Sequence, residues 1–302
     1  MQVGHNGRVR MSAKKIAIFG ATGTAGTGVM HEMLAAGWDV HAVTRDPTAP
    51  NSVSAAQAGA RLVQADLDDR ASIRAAIEDV PVVYLSGPSL LSRWDIGQAV
   101  QGINVADACA EVASQHLIYQ SATVGAARGV LGMGSKRAIE ERIAELATPF
   151  TVLRPGLFME NLLTFFTPEV SADGVTVAMP LNPQQAQDLV SVRDIGRAAV
   201  TIASDPAQHA GQVYELVAQL MSLEDMAAAI GEVTGIPTRA MSIPLDVIAA
   251  EWPQGLSMFQ WIMGRTVSDT SSILARLVSE PTDFRSWVRT TLVPRLQTFK
   301  QV

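Results

Sequence analysis

The sequence predicts an α/β fold in which a doubly wound parallel sheet is followed by a smaller, mainly helical C-terminal lobe. Over the first 205 residues, short β-branched runs alternate with longer stretches of helical periodicity. This order builds a parallel sheet with helices on both faces. A glycine-rich turn joins the first run directly to a helical stretch, and after about Pro155 the alternation loosens.

Six short runs are the candidate strands of the sheet. Each is mostly apolar and bounded by turn residues, as expected for strands that are buried on both faces. They span residues 16–19, 40–43, 62–64, 82–85, 117–119 and 151–153. Helical periodicity fills the intervals, and Gly37 stands where the first helix should stop.

The second half of the chain has a looser pattern. Residues 157–166 have helical character, 174–179 and 212–217 have strand character, and a further helix begins near Asp194. We expect Asp194 to cap that helix rather than to act as an acid. The predicted organisation is a disordered leader at 1–13, a sheet domain at 14–155, and a smaller lobe at 156–302 interleaved with the first.

Composition excludes several classes of protein. A net charge of −6 argues against direct nucleic-acid binding, and the sequence contains no apolar run of about 18 residues that could span a membrane. Cys109 is the only cysteine, which leaves no intrachain disulfide and no cysteine-based metal site. The histidines show no metal-ligand spacing. We therefore expect a cytoplasmic protein without a metal.

Near the C-terminus, three large apolar side chains form either a lid over the pocket or part of a core: Trp252, Met258 and Trp261.

A glycine loop follows the first strand and opens the first helix. Glycines permit a tight turn and let the backbone approach a pyrophosphate, and the helix N-terminus offers free N–H groups to the anion. Because strand, loop and helix stand at the start of the βα array, we predict a Rossmann-type dinucleotide site rather than a merely structural turn. The loop residues are Gly20, Ala21, Thr22, Gly23, Thr24, Ala25 and Gly26.

The end of the second strand predicts which dinucleotide is bound. Thr44 and Arg45 end it, and Arg45 lies 19 residues after Gly26, where the residue that contacts the ribose belongs. An arginine grips a 2′-phosphate with a planar, charged fork, which favours NADP(H). In the alternative, Arg45 is a solvated loop residue and Asp46 is the acid that binds NAD(H).

Two further strand ends complete the predicted cofactor site. Asp66 and Leu67 follow the third strand, where the adenine would lie, and Ser86 and Gly87 follow the fourth. The structural alternative for Asp66, or for its neighbours Asp68 and Asp69, is a cap on the following helix.

Taken together, these residues resemble the atypical short-chain dehydrogenases/reductases, and among them the NmrA-like group. The resemblance covers about residues 14–240. It is carried by Gly20-x-x-Gly23-x-x-Gly26, by the segment from Leu153 to Asn161 with the sequence LRPGLFMEN, by Val192-Arg193-Asp194-Ile195-Gly196, and by Ser121-Ala122-Thr123-Val124. The family includes NADP(H)-sensing regulators and NAD(P)H-dependent quinone or carbonyl reductases, so the resemblance implies a cofactor without naming a substrate.

The sequence departs from the usual reductase pattern Tyr-x-x-x-Lys. The resemblance places Lys136 beside the nicotinamide ribose, but Gly132 stands four residues earlier and none of the three tyrosines has the required spacing. Lysine is rare here, the others being Lys14, Lys15 and Lys300. Its compact ammonium shifts pKa readily on burial, so we take Lys136 as a catalytic and cofactor-binding residue, with a solvent-facing lysine as the alternative.

The remaining candidates belong to the substrate side. Ser121 ends the fifth strand at the edge where doubly wound folds bind ligands, so it either bonds a substrate carbonyl or caps a loop. The resemblance places Phe158, Met159 and Asn161 along the substrate pocket, with core packing as the alternative. We expect an NADPH-dependent reductase of a small carbonyl or quinone. The rival is an NADP(H) sensor with a regulatory partner; a homodimer fits either expectation.

Overall fold

The computed structural model describes residues 14–87, 96–123, 130 and 133–299. The predicted leader at 1–13 lies outside the described residues. The strands, numbered β1 to β13 in chain order, are Lys15–Phe19, Asp39–Thr44, Arg61–Gln64, Val82–Ser86, His116–Gln120, Phe150–Pro155, Leu157–Phe158, Glu169–Ser171, Gly174–Met179, Gln187–Val190, Gln212–Leu216, Gln219–Met221 and Thr238–Ser242.

The α-helices are numbered in the same way. Helices α1 to α13 are Thr24–Ala35, Pro50–Gln57, Arg70–Ile77, Ile96–Glu111, Gly134–Glu145, Val192–Ser204, Pro206–His209, Leu223–Thr234, Leu245–Glu251, Leu256–Gly264, Ser271–Leu277, Phe284–Trp287 and Val293–Phe299. Two 3₁₀ turns, Met159–Leu163 and Pro253–Gly255, and one π turn, Val288–Leu292, complete the helical content. None of the helices in the described residues is long and apolar enough to cross a membrane.

The main sheet has seven parallel strands in the order β3-β2-β1-β4-β5-β6-β11. One face is covered by α1, α6 and α11, which contribute residues such as Val29, Ile195 and Leu274 to a continuous core. The other face is covered by α3, α4 and α5, with Ile73, Val105 and Ile139 packed against the strands. The predicted doubly wound α/β fold is confirmed, and each of the six predicted strands is present with ends shifted by at most two residues.

The strand order reverses between β1 and β4, and in doubly wound sheets the crevice that binds ligands lies at the carboxyl ends of the strands at this point. The turn after β1 and the end of β4 meet at this point, because a Cβ placed on Gly20 would lie 2.8 Å from the backbone oxygen of Ser86. Helix α1 is fixed against α6 by a second close approach, since a Cβ on Gly196 would lie 2.8 Å from the oxygen of Gly28. The fold thus fixes the direction of α1 at the crevice.

The smaller lobe contains sheets as well as helices. One three-stranded sheet has the order β12-β10-β7, and the other has the order β13-β9-β8. A separate apolar cluster joins them to α8 and to the C-terminal segment around Trp287. Three elements from after residue 155 pack with the main sheet: α6 and α11 cover one face, and β11 is its outermost strand beside β6.

The predicted helix at 157–166 is wrong. The chain there forms the short strand β7, which pairs with β10, followed by the 3₁₀ turn at Met159–Leu163. The reason is a tertiary contact, because Gly156 passes so close to β10 that a Cβ would lie 2.3 Å from the oxygen of Asp188. Helix α6 begins at Val192 and is capped by the side chain of Ser191, so the expectation that Asp194 caps it is also wrong.

Candidate functional site

The glycine loop is shaped by contacts within the protein at two of its three glycines. Gly20 has a φ of +79°, a backbone angle that residues with a side chain rarely adopt. A Cβ on Gly26 would lie 2.0 Å from the oxygen of Gly20, an impossible contact. At Gly23, by contrast, the nearest atom to such a Cβ is the same oxygen at 3.4 Å. The surrounding protein therefore has almost ordinary room for a side chain at Gly23, at the start of α1.

Helix α1 presents an uncapped N-terminus to this space. Gly23 is the capping residue, and no side chain in the described part of the chain caps the helix or places an acid in its first turn. The first N–H groups of a helix have no partner within the helix and carry a partial positive charge. The loop and the helix start together form a site for an anion such as a phosphate.

Arg45 is exposed at the end of β2, and within the described residues its side chain makes no ion pair. The neighbouring Asp46 is already engaged, because its Oδ1 accepts hydrogen bonds from the backbone N of Thr48 at 2.8 Å and from its hydroxyl at 2.6 Å. These hydrogen bonds lower the pKa of Asp46. The Thr44 hydroxyl lies 2.9 Å from that of Ser52. Arg45 is thus the cationic side chain in this turn, while the Asp46 carboxylate stabilises the turn.

The turn after β3 separates two roles that the sequence left open. Asp69 caps α3, accepting from the backbone N–H groups of Ala71 and Ser72 at 2.9 and 3.3 Å. Asp66 instead accepts from the backbone N of Asp68 at 3.0 Å and lies at the strand end. Leu67 is half-buried beside the α3–α4 core, and its carbonyl accepts from Asn104. The predicted adenine contact of Asp66 and Leu67 stays a prediction.

Lys136 lies in the first turn of α5 and reaches the end of β4. A Cβ on Gly87 would lie 3.7 Å from Lys136 Nζ. The side chain is half-buried, and burial lowers the pKa of Lys136 to about 8, with the carboxylate of Glu140 acting in the opposite direction. The structure therefore brings Lys136 together with the predicted Ser86–Gly87 edge and, through the contact of Gly20 with Ser86, with the glycine loop.

Glu140 stands one turn after Lys136 and is bound by an arginine from the sheet. Arg154, on β6, donates from Nε to Oε1 at 3.1 Å and from Nη2 to Oε2 at 2.6 Å. The side chains of Arg154 and Glu140 are 24% and 12% exposed, so this two-point ion pair is largely shielded from water. Neither residue was singled out from the sequence for this pairing.

Each of the three tyrosines is either buried away from solvent or hydrogen-bonded to another side chain. Tyr84 is fully buried and donates to Gln120 at 2.6 Å. Tyr119 is fully buried on β5, and its hydroxyl lies beside the Ser121 side chain. The Tyr214 hydroxyl lies 2.9 Å from Nδ1 of His209 and forms a hydrogen bond with it. Burial raises the pKa of Tyr119 above its usual value, which makes it a poor acid.

Ser121 lies directly after β5 and is almost completely buried. Its backbone N donates to the oxygen of Leu153 at 2.7 Å, which extends the pairing of β5 with β6 by one residue. The side chain thus stands at the carboxyl edge of the sheet, as the sequence predicted, and its role toward a substrate carbonyl stays a prediction.

The three residues expected along the substrate pocket have different environments. Phe158 is half-buried against the core on the α1 face. Met159 is 1% exposed inside the core of the smaller lobe, which fits the core-packing alternative. Asn161 is half-buried, and its carbonyl accepts from the backbone N of Phe166 at 2.9 Å. Their contact with a substrate stays a prediction.

Glu160, in the same segment, is a buried carboxylate with three donors. It accepts from the Ser191 hydroxyl at 2.9 Å, from the backbone N of Val192 at 3.0 Å and from Trp287 Nε1 at 2.9 Å. Burial raises the pKa of Glu160 above its usual range while these donors oppose the shift. The carboxylate joins the segment after β7 to the start of α6 and to the C-terminal helices.

Asp194 serves a similar structural purpose at the other side of α6. It is fully buried and accepts from the backbone N and the hydroxyl of Thr282, at 2.6 and 3.1 Å. Arg197 donates to it at 3.3 Å. Its partners fix the loop before α12, and it lies within protein contacts rather than open to a ligand.

Helix α10 of the smaller lobe packs over the carboxyl edge of β5. Met258 and Trp261 pack against Met133, the residue that precedes α5, together with Ala122 and Val130. Arg265, just after α10, donates to the Thr123 hydroxyl at 3.2 Å. Its guanidinium also pairs with Asp188 and lies 5.1 Å from the centre of the Trp261 ring. Of the proposed lid residues, Trp252 instead packs edge-on against Phe259 inside the lobe.

No group of three or more His, Cys, Asp and Glu side chains that could hold a metal occurs among the described residues. Cys109 is fully buried, and burial raises the pKa of its thiol to about 12. The site that the structure assembles therefore consists of the glycine loop, the turn at Arg45, the β4 edge with Lys136, and the wall formed by α10.

Comparison with known proteins places this arrangement in a family. Curated proteins that align with this chain include the nitrogen metabolite regulation-like protein bik4 of Gibberella fujikuroi and an NAD(P)H azoreductase of Xenophilus azovorans. The first is 26% identical over 65% of this chain and 63% of its own length. The second is 24% identical over 76% of this chain and 78% of its own length.

A solved structure has the same fold along nearly the whole chain. The NADPH-dependent quinone oxidoreductase of Escherichia coli, crystallised with NADPH, is 23% identical, with a TM-score of 0.75 over 92% of this chain and 99% of its own. The model of the NmrA-like family matches residues 12–273. The match spans the glycine loop, Lys136 and helix α10, and the chain therefore belongs to the NmrA-like family.

Proposed function

We propose that the protein is an NADPH-dependent reductase of a small carbonyl or quinone substrate. The observation that carries the proposal is the position of Lys136, which lies beside Gly87 at the sheet edge next to the glycine loop. The azoreductase and the quinone oxidoreductase to which the chain is similar support a reductase of flat, electron-accepting molecules.

The residues of the crevice fit a nicotinamide dinucleotide with a 2′-phosphate. The open space at Gly23 and the uncapped start of α1 would hold the pyrophosphate, and Arg45 would bind the 2′-phosphate. Asp66 and Leu67 would face the adenine, and NAD(H) would bind more weakly because the Asp46 carboxylate is held by Thr48. When bound, the reduced cofactor supplies the hydride.

The chain's own residues would then orient the acceptor and complete the reduction. Lys136 would hold the ribose and place a positive charge near the oxygen on which negative charge develops. Ser121 would donate to the same oxygen. Met258 and Trp261 would exclude water and provide an apolar wall for a flat ring. A quinone accepts hydride readily, and solvent or the Lys136 ammonium would supply the proton to the reduced oxygen, so the reaction does not require an acid from a tyrosine.

The test is steady-state oxidation of NADPH with a panel of quinones and aldehydes. Replacing Lys136 by Met should lower turnover by about tenfold or more, because a positioned acid–base group contributes ~10²–10⁴-fold to a rate. Affinity for NADPH should fall less, since the pyrophosphate and Arg45 contacts remain. The matched control is Arg137→Met on the next residue, whose guanidinium pairs with Glu141 at the surface of α5.

Two outcomes would contradict the proposal. Turnover that survives Lys136→Met would remove this lysine from the mechanism. No turnover with any acceptor would favour the second candidate, an NADP(H)-sensing regulator with a protein partner or a second copy of the chain, which the similarity to a regulation-like protein supports.

A further inference from the structure

Lys136 and Glu140 are four residues apart on α5, a spacing that brings a lysine and a glutamate within reach of each other on a helix, although lysine before glutamate is the weaker of the two orders. They do not pair here. Each oxygen of the Glu140 carboxylate accepts a hydrogen bond from the fork of Arg154, at 3.1 and 2.6 Å. Within the described residues the Lys136 ammonium has no carboxylate partner, and it lies instead beside Gly87 at the end of β4.

The geometry favours the arginine in this competition. A guanidinium binds a carboxylate at two points with fixed orientation, whereas an ammonium is a single, strongly hydrated charge. Arg154 is held by β6, next to β5 on one side and β11 on the other, where Glu215 stands opposite it in register. Both partners of this ion pair are only partly exposed, so the pair is screened less by salt than a fully exposed one.

We propose that Arg154 is a positioning residue for Lys136: by holding the Glu140 carboxylate at two points, it prevents that carboxylate from drawing the lysine away from the crevice. The inference deepens the proposed function and rests on it for the catalytic consequence. Without Arg154, the Glu140 carboxylate would lie one helical turn from an ammonium, and the two would pair along α5 instead of Lys136 facing Gly87.

The other charged or titratable groups around α5 leave this competition intact. From β5, the Tyr119 phenol is buried near Glu140, and burial keeps it neutral because its pKa is raised. From α4, Asp107 forms ion pairs with Arg70 at 2.9 Å and with Arg142 at 2.8 Å. Arg142 lies on α5, six residues beyond Lys136. Burial is the larger influence on Lys136, whose pKa is lowered to about 8, and Glu140 opposes it.

The test follows the Lys136 ammonium directly. The sequence contains four lysines, so protein labelled with ¹³C-lysine gives few Cε resonances, and the one lost in Lys136→Arg assigns residue 136. Titration of the cofactor-free protein then reports the pKa of Lys136 without any turnover. Arg154→Met should raise that pKa by about 1–3 units, because an unpaired carboxylate within reach favours the charged amine.

A double-mutant cycle separates this mechanism from the simple loss of a positive charge. In a Glu140→Gln background, Arg154→Met should leave the Lys136 titration within a few tenths of a unit of Glu140→Gln alone. A rise of equal size in both backgrounds would overturn the proposal, and so would an unchanged pKa in folded Arg154→Met. Arg154→Lys keeps the charge but loses the fork, and it should give an intermediate shift if the Met variant unfolds.

The kinetic arm adds a second readout. If the protein reduces quinones, the pH profile of kcat/KM should move to higher pH in Arg154→Met together with the Lys136 resonance. A resonance that moves without any quinone turnover would leave the positioning role standing and contradict the proposed function alone. A profile that moves while the resonance does not would contradict the positioning role.

Discussion

The two sides of the crevice are built in different ways. On the side of β1 and β2, the shape comes from backbone: Gly20 and Gly26 meet within the loop, and α1 starts without a side-chain cap in the described chain. On the side of β5 and α5, it comes from side chains that meet between different segments of the chain. Arg154 reaches Glu140, and Arg265 reaches Thr123 from 142 residues away.

This difference teaches where variation is tolerated. At Gly20 and Gly26 the close backbone approach leaves no room for an added atom, and under the proposed function the loop would bind a group common to all dinucleotides. A wall made of side chains can be rebuilt residue by residue without moving the sheet. The shape of the β1 and β2 side is therefore set by the fold itself. The side under α10 can vary in its side chains, and it is where one family member can differ from another.

The largest effect should come from the glycine loop, and it distinguishes two kinds of glycine. Gly26→Ala places a methyl group 2.0 Å from the Gly20 oxygen, so the loop must move and NADP(H) binding should be lost along with roughly 1–3 kcal/mol of stability. Gly23→Ala should keep the melting temperature of the cofactor-free protein but weaken binding, because its methyl group would meet the ligand rather than the protein.

Calorimetric titration and thermal unfolding of both variants measure this contrast. Unchanged NADP(H) affinity in Gly23→Ala, or in the bulkier Gly23→Val, would show that the backbone at this position does not approach the pyrophosphate.

An intermediate effect is expected at Arg45. Because a hydrogen bond to a charged group contributes ~1.5–3 kcal/mol, Arg45→Ala should weaken NADP(H) binding about 10- to 100-fold and leave NAD(H) binding nearly unchanged. Arg61→Ala, an exposed arginine at the amino end of the neighbouring β3, controls for the loss of one positive charge. Equal losses for both cofactors would mean that Arg45 does not contact the 2′-phosphate.

The smallest effect should come from the wall. Trp261→Leu removes an aromatic face worth ~0.5–1.5 kcal/mol, so KM for a flat quinone should rise about two- to tenfold while NADPH affinity stays the same. Trp252→Leu, whose ring contacts Phe259 instead of the Met133 cluster, is the control for loosening of the lobe. If the two variants raise KM equally, Trp261 does not line the substrate side.

The parts of the molecule that sequence could predict are those determined locally. The first six strands and the glycine turn follow from short apolar runs and from Gly20, Gly23 and Gly26. The failures come from distant contacts. Helical periodicity at 157–166 was overridden by the passage of Gly156 against Asp188, and Ser191 displaced Asp194 as the cap.

The same reasoning explains what was missed at the site. Lys136 is notable because lysine is rare in this chain, but its environment depends on Arg154, fourteen positions beyond Glu140. A bidentate pair of that kind leaves no periodic signature. The available signal was the arginine in the LRPG segment, which places a charged side chain in a mostly apolar strand.

The carboxylate of Glu160 also has a consequence for how the protein is made. Its indole donor, Trp287, lies 127 residues later in the chain. At a synthesis rate of about 5–20 residues per second, the ribosome adds Trp287 roughly 6–25 s after Glu160. During that interval the nascent chain can form the main sheet, but the segment that follows β7 still lacks one of its three donors. The core of the smaller lobe around Glu160 thus depends on a helix that is translated 127 residues later, and a chain released before Trp287 would lack this donor.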